Sequence, residues 1–189
     1  MNLEEVVNRY ARGYFLMDNG DGLEWYRSRV HALVPLDGRF HIPKSLRRSL
    51  NAGRFAVRID SDFAGVLEGC ANEHGETWIS EELKTIYFAL HAAGYAHSFE
   101  TWTEDALAGG ILGIAIGGAF IGESMFYRVS EASKIAMVWL VEHLRARGFG
   151  LFDAQIQNPH LARFGAFEMA EEEFLERLRL AVLEPVSFG

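Results

Sequence analysis

Leu3, Val6, Val7, Tyr10 and Ala11 recur at the three- and four-residue spacing of one helical face, and the run stops at Gly13. DNGDG at 18–22 is turn chemistry, and the aromatic and β-branched residues on both sides of it predict short strands. HIPKSLRRSL predicts a short basic helix after Pro43, whose fixed φ suits a first helical turn. FAVRID at 55–60 reads as a strand. Asp60 or Ser61 is placed to cap a helix reaching about Ala71, and Ser80 to cap EELKTIYFALHAA, which Gly94 ends. YAHSFETW reads as extended, TEDA as a turn, and LAGGILGIAIGGAFIGESMFYR as a long apolar hairpin turning at Gly117-Gly118. Ser130 is expected to cap EASKIAMVWLVEHLRAR, with Ile135, Val138, Trp139, Val141 and Leu144 on its buried stripe and Gly148 as its stop. FDAQIQ and FGAFEM follow as strands and EEEFLERLRLAVL as a closing helix. Helices and strands mix without strict alternation, which predicts an α+β (mixed α/β) fold around one central sheet.

In an extended FDAQIQ, side chains two apart share a face about 6.6 Å apart, so Asp153, Gln155 and Gln157 form a polar row while Phe152, Ala154 and Ile156 face the other way. Such a row is either a strand face in water or a place for chemistry. At 189 residues, with 49% hydrophobic and 23% charged residues, the chain is long enough to bury a full core and is not disordered in composition. The opening MNLEEVVNRYARGYF has acidic residues first and no apolar h-region, so no leader is expected. Residues 106–122 are apolar but glycine-rich and too short to span a bilayer, so no membrane association is expected. The single Cys70 excludes an intrachain disulfide, fits a reducing cytoplasm, and shares helical spacing with Phe63, Val66 and Leu67 as a core thiol.

Charge alters this picture. Between Arg27 and Arg58 lie eight basic residues, Arg27, Arg29, Arg39, Lys44, Arg47, Arg48, Arg54 and Arg58, against Asp37 alone. That segment carries +7, which leaves −15 for the rest of a chain whose net charge is −8. A basic block on an acidic protein is an electrostatic footprint for a phosphate backbone, or else a solvated basic surface.

Three short patterns bear on chemistry. Gly122-Glu123-Ser124-Met125-Phe126 lacks the second glycine of a nucleophile elbow and runs on as a strand. The histidines at 31, 41, 74, 91, 97, 143 and 160 never stand at metal-ligand spacing, so no metal is expected. Arg145-Ala-Arg-Gly148-Phe-Gly150 matches the R-x-x-G-x-G loop with which GNAT acetyltransferases hold coenzyme A, but here it closes a helix and presents carbonyls instead of N–H groups.

GETWIS at 75–80, LHAAGYAHSFETW, LAGGILGIAIGGAFIGESMF, the ASK of 132–134 and FDAQIQNPHLARFGAFE occur here in one order. Together, from about Arg12 to Glu168, they make the chain resemble the bacterial leucyl/phenylalanyl-tRNA-protein transferases. The resemblance implies a GNAT-like main domain at 35–189 behind a small, shortened N-terminal cap at 1–34. It also implies transfer of leucine or phenylalanine from aminoacyl-tRNA to an N-terminal arginine or lysine of an acceptor protein, marking it for N-end-rule degradation. No cofactor is implied, and a cytoplasmic monomer is expected. Asp153, Gln155 and Glu123 match the reaction centre, with Asp153 expected to fix the Gln155 amide through its side-chain N–H. Trp78, Ile111, Phe120, Met125, Met137, Leu140 and Phe152 match an apolar pocket, Asn158 a further polar position, and Lys44, Arg47 and Arg48 the basic residues that meet the tRNA acceptor stem. Met17 stands where the family has a pocket tryptophan, and Trp25-Tyr26-Arg27-Ser28 replaces a Trp-Trp-Ser-Pro segment. The other readings are a coenzyme A-dependent GNAT acyltransferase, told apart by acetyl-CoA binding, and a non-enzymatic RNA-binding module.

Overall fold

The computed structural model describes residues 2–73 and 78–189; His74 and the Gly75–Thr77 part of GETWIS lie outside the described residues. A helix α1 (Leu3–Tyr10) leads into a separate antiparallel hairpin of β1 (Tyr14–Asp18) and β2 (Leu23–Arg27), turning through DNGDG. The large sheet has seven strands in the order β4-β5-β6-β7-β8-β3-β9. These are β3 (Val30–Leu33), β4 (Ala56–Ile59), β5 (Ala96–Thr103), β6 (Ala106–Ile116), β7 (Ala119–Tyr127), β8 (Leu151–Gln155) and β9 (Phe167–Ala170). Every pairing is antiparallel except β7 with β8, which the helix α5 (Ala132–Arg147) joins as a crossover. The mixed α+β architecture around one sheet is as the sequence predicts.

β6 is buried along nearly its whole length because both faces of the sheet are covered. Leu112, Ile114 and Ile116 pack with α3 (Phe63–Asn72), α4 (Glu81–Ala92) and α1. Ile111 and Ala115 point the other way, toward α5 and Leu46 of α2 (Lys44–Asn51). A third cluster sets α7 (Glu171–Ala181) against β3, β8 and β9. Cys70 is a buried free thiol whose pKa burial pushes up to about 12, as suits a core residue.

Two short elements escape the sequence pattern. β3 is four residues long and precedes Pro35, yet it lies between β8 and β9 in the large sheet; the 1–34 segment therefore ends inside that sheet. α6 (Pro159–Ala162) is one turn, capped by Asn158 Oδ1, which accepts from Leu161 N–H at 2.9 Å. Two expected caps are corrected. Asp62, not Asp60 or Ser61, caps α3, because Asp60 is used by the Ser98 N–H and the His97 ring. Glu131 precedes α5 at φ +71 and Ser130 makes no cap. Trp139, expected on the buried stripe of α5, is 47% exposed.

AHSFE proves architectural. Glu100 is fully buried and accepts from the N–H groups of Ser61 and Asp62, the Ser98 hydroxyl and the Trp102 indole, which ties the loop before α3 to β5.

Gly113 explains where Phe120 sits. A Cβ at this position would lie 2.2 Å from the Phe120 ring, so the ring occupies the space a side chain would fill. Gly113→Ala is therefore expected to destabilise the protein by about 1–3 kcal/mol, read as a lower urea midpoint at constant slope.

Candidate active site

Between the N-terminal hairpin, β6, β7, α5 and the end of β8 lies a cavity of about 380 Å³, within the range of small-ligand sites. Its walls are mostly apolar. Met17, Trp78, Ile111, Met125, Met137 and Phe152 line it, as does Asn158, all expected there from sequence. Phe120 and Leu140 do not. Phe120 is fully buried over Gly113, edge-on to Phe152 and stacked on Phe188, and Leu140 is buried in the same core cluster. Phe15, Ala154, Ile156, His160 and Leu161 line the cavity without having been singled out. Ala154 and Ile156 share with Phe152 the face that the alternation set opposite the polar row, while His160 and Leu161 lie on the one-turn α6, too short for a periodic signal.

Glu123 and Gln155 supply the cavity's acid and amide. Tyr87 Oη donates to Glu123 Oε2 at 2.6 Å and Tyr10 Oη to the same oxygen at 3.2 Å, while Gln155 Nε2 donates to Oε1 at 3.0 Å. Burial, with the nearby negative charge of Asp153, raises the Glu123 pKa from 4.5 to about 7 against the lowering effect of these three donors. Burial and the Glu123 charge push both phenols well above their ordinary pKa, so they stay protonated and remain donors. The two tyrosines come from α1 and α4, far apart in sequence, which hides this clamp from any local pattern.

Gln155 departs from the expected alternation. Its φ is +62, and Ile156 N–H bonds back to Ala154 C=O at 2.7 Å, a γ-turn that ends β8 and swings the amide toward Glu123. Asp153 stays behind, 3% exposed and outside the cavity lining. Its Oδ1 accepts the backbone N–H of Gln155 at 2.8 Å, where a bond to the side-chain amide was expected. The carboxylate also meets His31 Nδ1 at 3.2 Å, and that buried ring stacks on Phe174 with centroids 3.6 Å apart. Asp153 therefore shapes the turn that presents Gln155. Gln157 turns away and donates to Ala166 C=O.

Lys44, Arg47 and Arg48 are exposed on α2 and make no ion pair among the described residues. Others of the basic block are occupied: Arg27 pairs with Glu171, Arg39 with Asp37, and Arg58 lies over the Trp102 ring. α2 packs on α5, which carries Met137 into the cavity, so the basic helix and the cavity share a support. Among the described residues no cluster of three acidic, histidine or cysteine ligands could hold a metal, and no helix is long and apolar enough to cross a membrane.

The family model described as leucyl/phenylalanyl-tRNA protein transferase matches residues 33–179. The chain belongs to that family. Leucyl/phenylalanyl-tRNA–protein transferases from Thermosynechococcus vestitus and a Synechococcus strain are 61% and 57% identical to it. They cover 97% and 100% of this chain and 93% and 98% of their own lengths. The Deinococcus radiodurans relative is 49% identical over 94% of this chain and 88% of its own. Among solved structures, L-PGS from Bacillus licheniformis aligns with a TM-score of 0.47 at 15% identity, over 93% of this chain and 61% of that one. As a member of the transferase family the chain is an aminoacyltransferase. The family match begins at residue 33, so Tyr10, Phe15 and Met17 reach the site from outside it.

Between pH 4.5 and about 7 the folded transferase holds a proton on Glu123 that the unfolded chain has released, so stability should fall as pH rises through that window. Urea unfolding across pH is expected to show this slope in the wild type and to lose it in Glu123→Gln. Tyr87→Phe removes a hydrogen bond that lowers the Glu123 pKa, so carboxyl NMR should find its midpoint above the wild-type value of about 7.

Proposed function

We propose that the protein transfers leucine or phenylalanine from the 3′ end of aminoacyl-tRNA to the α-amine of an acceptor protein beginning with arginine or lysine, creating an N-degron. It does so in the cytoplasm as a monomer, with residues 1–34 as a cap over the cavity. The observation that carries this reading is a Glu123–Gln155 pair set in an otherwise apolar, side-chain-sized cavity within a chain of this family.

An apolar wall suits leucine and phenylalanine because a polar side chain would lose its hydrogen bonds to water there. Met17, Met125 and Met137 are flexible enough to repack around either shape. At the other end, the neutral amine attacks the ester carbonyl, the C–N bond forms, and the bond from the carbonyl to the ribose oxygen breaks. The amine gives up a proton and the ribose oxygen gains one. Because Gln155 Nε2 donates to Glu123, its carbonyl oxygen is left to accept the amine N–H and hold the attacking nitrogen in line. Glu123, with a pKa of about 7, is poised to take the proton near neutrality. Asp153 acts through the γ-turn as a positioning residue. Orientation of this kind accounts for much of the rate of a reaction that is already downhill. Lys44, Arg47 and Arg48 meet the acceptor stem through its phosphates.

The coenzyme A alternative finds little support. Arg145-Ala-Arg-Gly148 closes α5, with Gly148 at φ +84 as its C-cap, and Arg145 is spent on the carbonyls of Leu36 and Asp37. Free N–H groups for a pyrophosphate are missing from a helix C-terminus.

Incubation with radiolabelled leucyl-tRNA and a peptide beginning with arginine should label the peptide, with no binding of acetyl-CoA; an unlabelled peptide would remove the reading. Gln155→Ala is expected to lower kcat on the order of 10- to 100-fold with a much smaller change in affinity for aminoacyl-tRNA, and equal losses in both would deny Gln155 this role. Replacing Arg47 and Arg48 together by alanine should weaken leucyl- and phenylalanyl-tRNA alike and flatten the log–log salt dependence of binding by about one to two units.

A further inference from the structure

The segment after α7 forms no helix or strand, yet it returns to the core. Arg147, in the last turn of α5, donates to the Ser187 C=O at 2.8 Å, to Ser187 Oγ at 2.6 Å and to the Gly189 C=O at 2.7 Å. One turn earlier on the same helix, His143 donates from Nε2 to the Phe188 C=O at 2.7 Å. These bonds hold the backbone around Phe188 with its ring turned inward, 2% exposed. The ring stacks on His97 and on Phe120, with centroids 4.4 and 5.3 Å away, and meets His143 and Phe149 edge to face. Phe120 in turn is edge-on to Phe152 at 5.2 Å, and Phe152 lines the aminoacyl cavity. Three phenylalanine rings thus stand in series from this segment to the cavity wall. Phe120 has no spare room over Gly113, where its ring already fills the space of the missing side chain.

We propose that Phe188 is a specificity-determining residue, which sets the depth of the cavity at Phe152 from behind and so the balance between leucine and phenylalanine. The proposal rests on the aminoacyl-transfer reading above. A close-packed interior passes a change of volume on to its neighbours, and the space left by a truncated core side chain is partly refilled by the groups around it. The space left by the Phe188 ring borders Phe120, and a Phe120 ring that leans into it draws its edge away from Phe152. The cavity wall then recedes. Phenylalanine, the larger of the two side chains, gains room, while leucine loses contacts it had. Phe188 does not line the cavity and lies beyond residues 33–179, the stretch that the family model matches, so its influence runs through the two rings in front of it.

Transfer from leucyl-tRNA and from phenylalanyl-tRNA to an arginine-first peptide gives two kcat/KM values, and their ratio cancels any general loss of folded protein. Phe188→Ala should raise the phenylalanine-to-leucine ratio on the order of threefold to tenfold over the wild type. Phe188→Leu, which refills part of the space, should raise it less. Leu178→Ala, in the separate core cluster around α7, should lower the urea midpoint without moving the ratio. A wild-type ratio in both Phe188 variants, a shift toward leucine, or an equal shift in Leu178→Ala would overturn the proposal while leaving transfer standing. If Phe188→Ala does not fold, the Phe188→Leu ratio decides in the same way. Failure of the wild type to transfer from either donor would overturn the transfer reading and the specificity role with it.

Discussion

A carboxylate withdrawn from bulk water is stabilised by hydrogen bonds or by keeping its proton, and Glu123, partly buried in the cavity wall, is poised between the two. It receives the hydroxyls of Tyr10 and Tyr87 and the amide of Gln155, and its pKa still rises to about 7 because burial outweighs all three donors. These contacts draw α1, α4, β7 and the end of β8 onto one side chain. Elements that share no local sequence relationship are thereby joined at the cavity. The N-terminal helix, which shares a core with α3 and α4, earns its place through Tyr10 as much as through its apolar face.

The same economy appears on β8. An aspartate two residues before a glutamine looks like a pair of neighbouring functional groups, yet the fold sends them to opposite duties. Asp153 faces His31, which stacks on Phe174, and binds the Gln155 backbone, which stabilises a positive φ that a non-glycine residue rarely adopts. Strain held by a part-buried hydrogen bond aims the amide at Glu123. Through the turn, a carboxylate outside the cavity sets the direction of the amide within it.

Charge is laid out in the same directional way. The protein is acidic overall, and several of its basic-block arginines are paired or stacked, while Lys44, Arg47 and Arg48 on α2 form no ion pair among the described residues. A polyanion approaching α2 meets uncompensated positive charge there and repulsion from the acidic remainder.

The order of the large elements, the buried hairpin turning at Gly117-Gly118 and the core thiol were legible in the residues themselves, because burial on both sheet faces and helical periodicity are written locally, whereas the pocket positions came from the family resemblance alone. The basic helix after Pro43 was legible for the same reason. β3 and α6 were not: four residues hold too little periodicity, and what makes Val30–Leu33 a strand is its two neighbours, β8 and β9. Phe120 and Leu140 could not be told from pocket residues by composition, since core and cavity wall use the same side chains; only Gly113 and Phe188 decide that Phe120 belongs to the core. Likewise the alternation in FDAQIQ assigned Asp153 and Gln155 to one face, and a backbone hydrogen bond overruled it. Sequence determined which side chains were available, and tertiary structure decided which of them meet, because hydrogen bonds to the partly buried Glu123 carboxylate depend on distances between elements that no local pattern encodes.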